Sequence, residues 1–182
     1  LWTEQVHGIQ VVEALTPLIE PPVADAAFTD KTALACVVMT ADCLPVFFCD
    51  EKGSKVAVAH AGWRGLQGGI LEETICAMQI PASRLMAYLG PAIGPAAFEV
   101  GDEVRAAFVE RDSKATDAFR ATREGKWLAD IYYLAKLRLL MQGVEQIYGG
   151  DYCTVTEKER FFSYRRDGVT GRMASMIWLD NV

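Results

Sequence analysis

Three continuous apolar runs of strand length crowd the first third of the chain: ALACVVMT (33–40), LPVFFCD (44–50) and the KVAVA of 55–59. Apolar runs of this length bounded by turn residues read as strands buried on both faces. Before them, QVHGIQVVE (5–13) is rich in Val and Ile and predicts an extended segment, with Gly8 after His7 marking a bulge or turn. Pro17, Pro21 and Pro22 make 16–22 a loop, and ADAAFT (24–29) fits either a turn or a short helix.

The stretch KVAVAHAGWRGLQGG (55–69) predicts a strand running into a loop that carries Gly62, Gly65, Gly68 and Gly69 around Trp63 and Arg64. A helix follows from about Ile70 through ILEETICAM to a stop at Pro81. Beyond it, RLMAYL (84–89) predicts a strand that ends in the proline-rich GPAIGP, and 104–110 a helix capped by Asp102. The polar stretch 112–125 predicts a short helix and then a loop. Asp130 caps a longer helix over 131–142, with Ile131, Leu134, Leu137, Arg138 and Met141 at helical spacing and Gly143 at its end. Segments 144–148, 161–164 and 173–179 predict closing strands, and Tyr88, Phe98 and Trp127 are placed in the core. No repeat or linker interrupts the chain, which predicts a single domain over 1–182. Three adjacent strands without βαβ alternation favour a mixed α/β sandwich over a doubly wound sheet.

Composition narrows the partners. Of 182 residues 51% are hydrophobic, enough for a sizeable core. Lys and Arg number 18 against 24 Asp and Glu, a formal charge of −6, which disfavours nucleic acid or an anionic membrane and leaves a small molecule as ligand. No apolar run reaches the ~18 residues of a membrane span, and no signal peptide is evident. The five cysteines are an odd number, and Cys36, Cys43, Cys49 and Cys76 lie in or beside apolar segments, which points to a reducing cytoplasm. The chain opens on Leu1-Trp2 without Met, in structured-looking sequence, so an N-terminal segment is expected to be missing.

Only two histidines occur, His7 and His60, and each stands where an apolar or extended run gives way to a turn, as does Cys43. Two imidazoles and a thiolate make a three-ligand site suited to zinc, with the fourth position open as in catalytic rather than structural sites. The spacing matches neither HxxxH nor CxxC, so two other readings stand beside it: a buried cysteine with structural histidines, and Cys43 as nucleophile with a histidine base. Arg64 could clamp an anion through its planar guanidinium, or stack on Trp63. Asp42 could orient an imidazole or cap a turn, and Arg165 in SYRRD could bring charge to a cleft. Neither GxGxxG nor GxxxxGK[ST] is present, which argues against dinucleotide and P-loop sites.

Taken together, QVHG (5–8), TADCLPV (40–46), HAGWRG (60–65), GPAIG (90–94), FEV (98–100) and FFSYRRD (161–167) resemble the YfiH-like, laccase-domain family, in its enterobacterial form. The resemblance runs from end to end of the chain. It implies an α+β fold, a four-layer α/β/β/α sandwich with mixed sheets, and a metal site assigned to zinc on His7, Cys43 and His60, the same residues being catalytic. It implies phosphorolysis of adenosine, inosine and methylthioadenosine and deamination of adenosine. For these reactions the Arg64 turn could supply the phosphate site and Asp42 the proton-shuttling carboxylate, with Arg165 a further substrate contact. The family is also described as copper-dependent polyphenol oxidases. A multicopper oxidase needs a mononuclear and a trinuclear centre, an inventory two histidines do not supply. A metal-free Cys/His hydrolase or peptidoglycan-precursor editing factor is the third reading.

Overall fold

A computed structural model describes residues 1–180. A six-stranded mixed sheet forms its centre, built from β1 (Val11–Glu13), β2 (Ala26–Thr29), β4 (Leu44–Asp50), β5 (Val56–Ala61), β6 (Leu85–Leu89) and β10 (Gln146–Gly149) in the order β1-β2-β5-β4-β6-β10. The end pairs β1/β2 and β10/β6 are parallel and the inner pairs antiparallel. Two helices, α2 (Ile70–Met78) and α4 (Ile131–Met141), cover one face. Against the other lies a small antiparallel sheet of β3 (Cys36–Thr40) and β11 (Met173–Ile177). A third sheet, β7 (Glu99–Gly101), β9 (Lys126–Ala129) and β8 (Phe119–Arg123), packs with α3 (Asp102–Arg111). The chain is α+β with mixed sheets, as expected, and its helix, large-sheet and small-sheet layers stack in that order.

Why β5 sits at the centre follows from its composition. All six of its residues are buried. On one side Ala57, Ala59 and Ala61 join the main core, where small side chains let α2 lie close; on the other, Val58 enters the second core with Cys36 and Val38 of β3. Alternation then directs His60 to the same side as Val58.

Several expectations are corrected. The glycine-rich stretch after β5 is not a loop: Trp63–Gly68 is a short helix, α1, with Gly62 at its N-cap. Phe161–Tyr164 is not a strand, and Tyr164–Asp167 forms a single helical turn, α5, capped by the Ser163 hydroxyl accepting from the Arg166 N–H at 3.1 Å. The expected loop after the 3-10 turn Ser113–Ala118 is strand β8, whose mostly exposed positions carry no apolar signal. ADAAFT forms strand β2 rather than a turn or helix, pairing antiparallel with β5. Asp102 does not cap α3, whose N-cap is Gly101; its carboxylate accepts from the Trp127 indole at 2.6 Å. Phe98 is buried as expected, but Tyr88 is 44% exposed. Asp130 does cap α4, accepting from the Tyr133 N–H at 2.9 Å. No helix among the described residues is long and apolar enough to cross a membrane.

Candidate metal centre

His7, Cys43 and His60 converge. One ligand atom from each lies within 4.8 Å of the others, the only such group of three or more His, Cys, Asp or Glu side chains among the described residues. The two imidazoles meet edge to face with ring centroids 4.8 Å apart, and Cys43 Sγ lies 3.8 Å from His7 Nε2. Tetrahedral zinc with bonds of ~2.3 Å to sulfur and ~2.0 Å to nitrogen would put those atoms about 3.5 Å apart, so the donors stand close to a coordinating arrangement. Gly62 keeps the middle open: a Cβ there would fall 2.9 Å from His7 Cδ2 and 3.0 Å from Cys43 Sγ. Donor set and spacing fit a borderline or soft ion of the zinc and copper class.

Three segments deliver these side chains. His60 is the fifth residue of β5, 3% exposed. Cys43 immediately precedes β4 and follows Asp42, whose φ of 94° turns the chain sharply. The Asp42 carboxylate accepts from the Thr154 hydroxyl and the Arg165 N–H, both at 2.6 Å, so this turn is tied to the C-terminal third of the chain. His7 belongs to an N-terminal segment laid along β3, where the Gln5 amide exchanges two hydrogen bonds with the Met39 backbone at 2.7 and 2.8 Å. Helix α1 closes the site from the far side. Its glycines recur every third residue on one face, against consecutive residues of the His7 segment. A Cβ at Gly65 would sit 2.9 Å from the Gly8 carbonyl oxygen, and one at Gly68 3.0 Å from Ile9.

Asp25 is the residue sequence reasoning missed. Fully buried just before β2, its carboxylate accepts from His60 Nδ1 at 2.8 Å and from the N–H groups of Val6, His7 and Gly8 at 3.2, 2.9 and 2.7 Å. Burial alone would raise this carboxyl, but His60 and the backbone donors hold it below the usual carboxylate range. Burial alone would lower the His60 imidazole; hydrogen bonds and charge from Asp25 and Cys43 outweigh that and lift it to about 9. Likewise burial would raise Cys43, but His60 and His7 draw it down to about 7. Each shift favours the charged form of its group, thiolate on Cys43 and imidazolium on His60. The one signal in the sequence is an acidic residue inside an otherwise small and apolar run, VADAAF (23–28).

Two hollows meet at this cluster. One of about 590 Å³ is lined by His7, Cys43 and His60 with Thr3, Thr40, Tyr164 and Arg172 among its walls. The other, about 280 Å³, shares His7, Ala41, Cys43 and Tyr164 and adds Trp63, Phe98, Asp42, Arg64 and Arg165. Within it Arg64 stacks on Trp63, 4.4 Å from the ring centroid, and the Arg165 guanidinium donates to the Ala97 and Glu99 carbonyls. Asp42 hydrogen-bonds to neither imidazole; the carboxylate that meets one, His60, is Asp25. Thr3 and Thr40 carry buried hydroxyls that no hydrogen bond satisfies.

Residues 1–180 match the family described as multi-copper polyphenol oxidoreductase laccase. Purine nucleoside phosphorylase YfiH of Escherichia coli K12 is 56% identical over 179 residues, 98% of this chain and 73% of the relative. Purine nucleoside phosphorylase PA4543 of Pseudomonas aeruginosa is 50% identical over 181 residues, covering 99% and 74%. Among solved structures, protein NMB0706 of Neisseria meningitidis superposes with a TM-score of 0.97 at 56% identity, covering 99% of this chain and 74% of that one. YlmD of Geobacillus stearothermophilus does so with a TM-score of 0.88 at 31% identity, covering 99% and 74%.

Proposed function

This chain belongs to the family described as multi-copper polyphenol oxidoreductase laccase, and on that premise we propose that it is a metal-dependent enzyme of purine nucleosides, the activity its relatives from Escherichia coli and Pseudomonas aeruginosa are named for. The reactions we assign are phosphorolysis of adenosine, inosine and methylthioadenosine to free base and sugar 1-phosphate, and hydrolytic deamination of adenosine. The observation that carries this reading is a thiol and two imidazoles within 4.8 Å of one another in the wall of a hollow of about 590 Å³, a size that suits a nucleoside.

We assign zinc to His7, Cys43 and His60. Bound there, zinc supplies Lewis acidity beside the substrate. Thr3 and Thr40 stand in the wall of the larger hollow, beside the space where the sugar is accommodated. Tyr164, exposed between the two hollows, offers a face on which a purine can stack. Arg64 and Arg165 place positive charge in the smaller hollow, where phosphate is accommodated. Asp42, already accepting two hydrogen bonds, serves by holding the Arg165 backbone in place rather than by meeting substrate. The five free cysteines accord with a reducing cytoplasm.

Incubation of zinc-loaded protein with adenosine and phosphate is expected to release adenine and a sugar 1-phosphate, or inosine where deamination dominates. Cys43→Ala and His60→Ala are each expected to lose bound zinc and at least ~100-fold in activity. Adenosine left intact by the zinc-loaded protein would sink the assignment. Oxygen uptake with a phenol after copper loading would then favour the oxidase, and cleavage of an amide or thioester the Cys/His hydrolase.

A further inference from the structure

We propose that Asp25 is the positioning residue of the metal centre, coupling the His7 turn to the His60 ring so that both present nitrogen to one ion. This rests on the metal reading of the His7, Cys43 and His60 cluster. A carboxylate with no exposed surface is costly unless paired and hydrogen-bonded. Here every donor that satisfies it comes from the two segments that carry the histidines: three successive N–H groups across Val6, His7 and Gly8, and the ring of His60. The backbones are joined as well, the His60 N–H donating to the Asp25 carbonyl at 2.7 Å.

Two consequences follow for the histidines. His7 has φ of 60°, a left-handed conformation that a non-glycine residue adopts at some cost. The three N–H groups gathered on Asp25 hold it there, which aims its ring at Cys43. His60 donates its Nδ1–H to the carboxylate, which occupies that nitrogen and leaves Nε2 as the one available to an ion. An Asn at position 25 fits the same space but fails chemically. With its oxygen towards His60, its NH₂ faces the N–H groups of Val6 and Gly8; turned round, the NH₂ faces the Nδ1 proton. Either orientation sets a donor against a donor.

Zinc affinity of Asp25→Asn, measured by competition with a chromophoric chelator well below the melting temperature, is expected to fall ~10- to 100-fold. Tyr132→Phe serves as a destabilised control whose zinc affinity should not change, since that hydroxyl lies under the Gly90–Ala92 loop. A second measurement needs no variant: nitrogen-15 NMR of the zinc-loaded wild type should show His60 protonated at Nδ1 and coordinated through Nε2. Zinc on Nδ1, or wild-type affinity in Asp25→Asn, overturns the positioning role alone. Wild-type protein that retains no zinc overturns the metal centre itself, and this role with it.

Discussion

At the scale of single residues the site is governed by what is small. Gly62 has φ of −61°, a conformation open to any residue, so its glycine serves the space it leaves and not its flexibility. Gly62→Ala should therefore keep the fold while pushing His7 and Cys43 apart, lowering zinc occupancy by ~10-fold or more, as metal analysis after dialysis would read. The thiols give a second test. Cys36, buried between the sheets, is pushed up to about 11, whereas Cys43 lies near 7. Iodoacetamide at neutral pH should alkylate metal-stripped protein at Cys43 and spare Cys36, with zinc protecting Cys43. Equal labelling of both would contradict the electrostatics described for the cluster.

At the scale of elements, apolar runs were legible and glycines were misread. β3, β4, β5, β6, β11, α2 and α4 stand out in the sequence because their side chains pack, so hydrophobic period and length report them. The stretch through Gly62, Gly65 and Gly68 reads as a loop because glycine normally interrupts helices. In α1 its three-residue spacing instead makes a smooth helix face on which the His7 segment lies. Strands β8 and β9 left little trace because β8 is mostly exposed and β9 is short and only partly buried, so neither carries a strong alternation. Turn chemistry was overlooked at Asp50, which accepts from the N–H groups of Lys52, Ser54 and Lys55 and from the Ser54 hydroxyl, closing the β4–β5 hairpin. Burial opposes ionisation there, but these donors outweigh it and lower the Asp50 carboxyl. A lowered group contributes stability above its unfolded pKa of ~3.9 and loses it as pH falls through the lower folded value. Chemical denaturation should find Asp50→Asn ~1–3 kcal/mol less stable than wild type at pH 7, the gap shrinking in acid.

Over the whole molecule, the two histidines and one cysteine were legible as a set because so few such residues occur and all three end apolar runs. Their common partner was not. Asp25 acts through backbone groups of Val6, His7 and Gly8, and no side-chain pattern announces an acceptor of main-chain hydrogen bonds. The tie from Asp42 to Thr154 and Arg165 was equally silent, joining positions more than a hundred residues apart in sequence. The fold thus gathers its chemistry at one end of β4 and β5, with a segment from each end of the chain laid over it.

The shared wall between the two hollows bears on the order of events in turnover. On the proposed function, a nucleoside in the larger space and phosphate in the smaller would both be bound at once, neither having to leave before the other enters. Steady-state rates measured over a grid of both concentrations should then give intersecting double-reciprocal lines, the mark of a ternary complex. Parallel lines would mean that a covalent intermediate carries the sugar between two half-reactions.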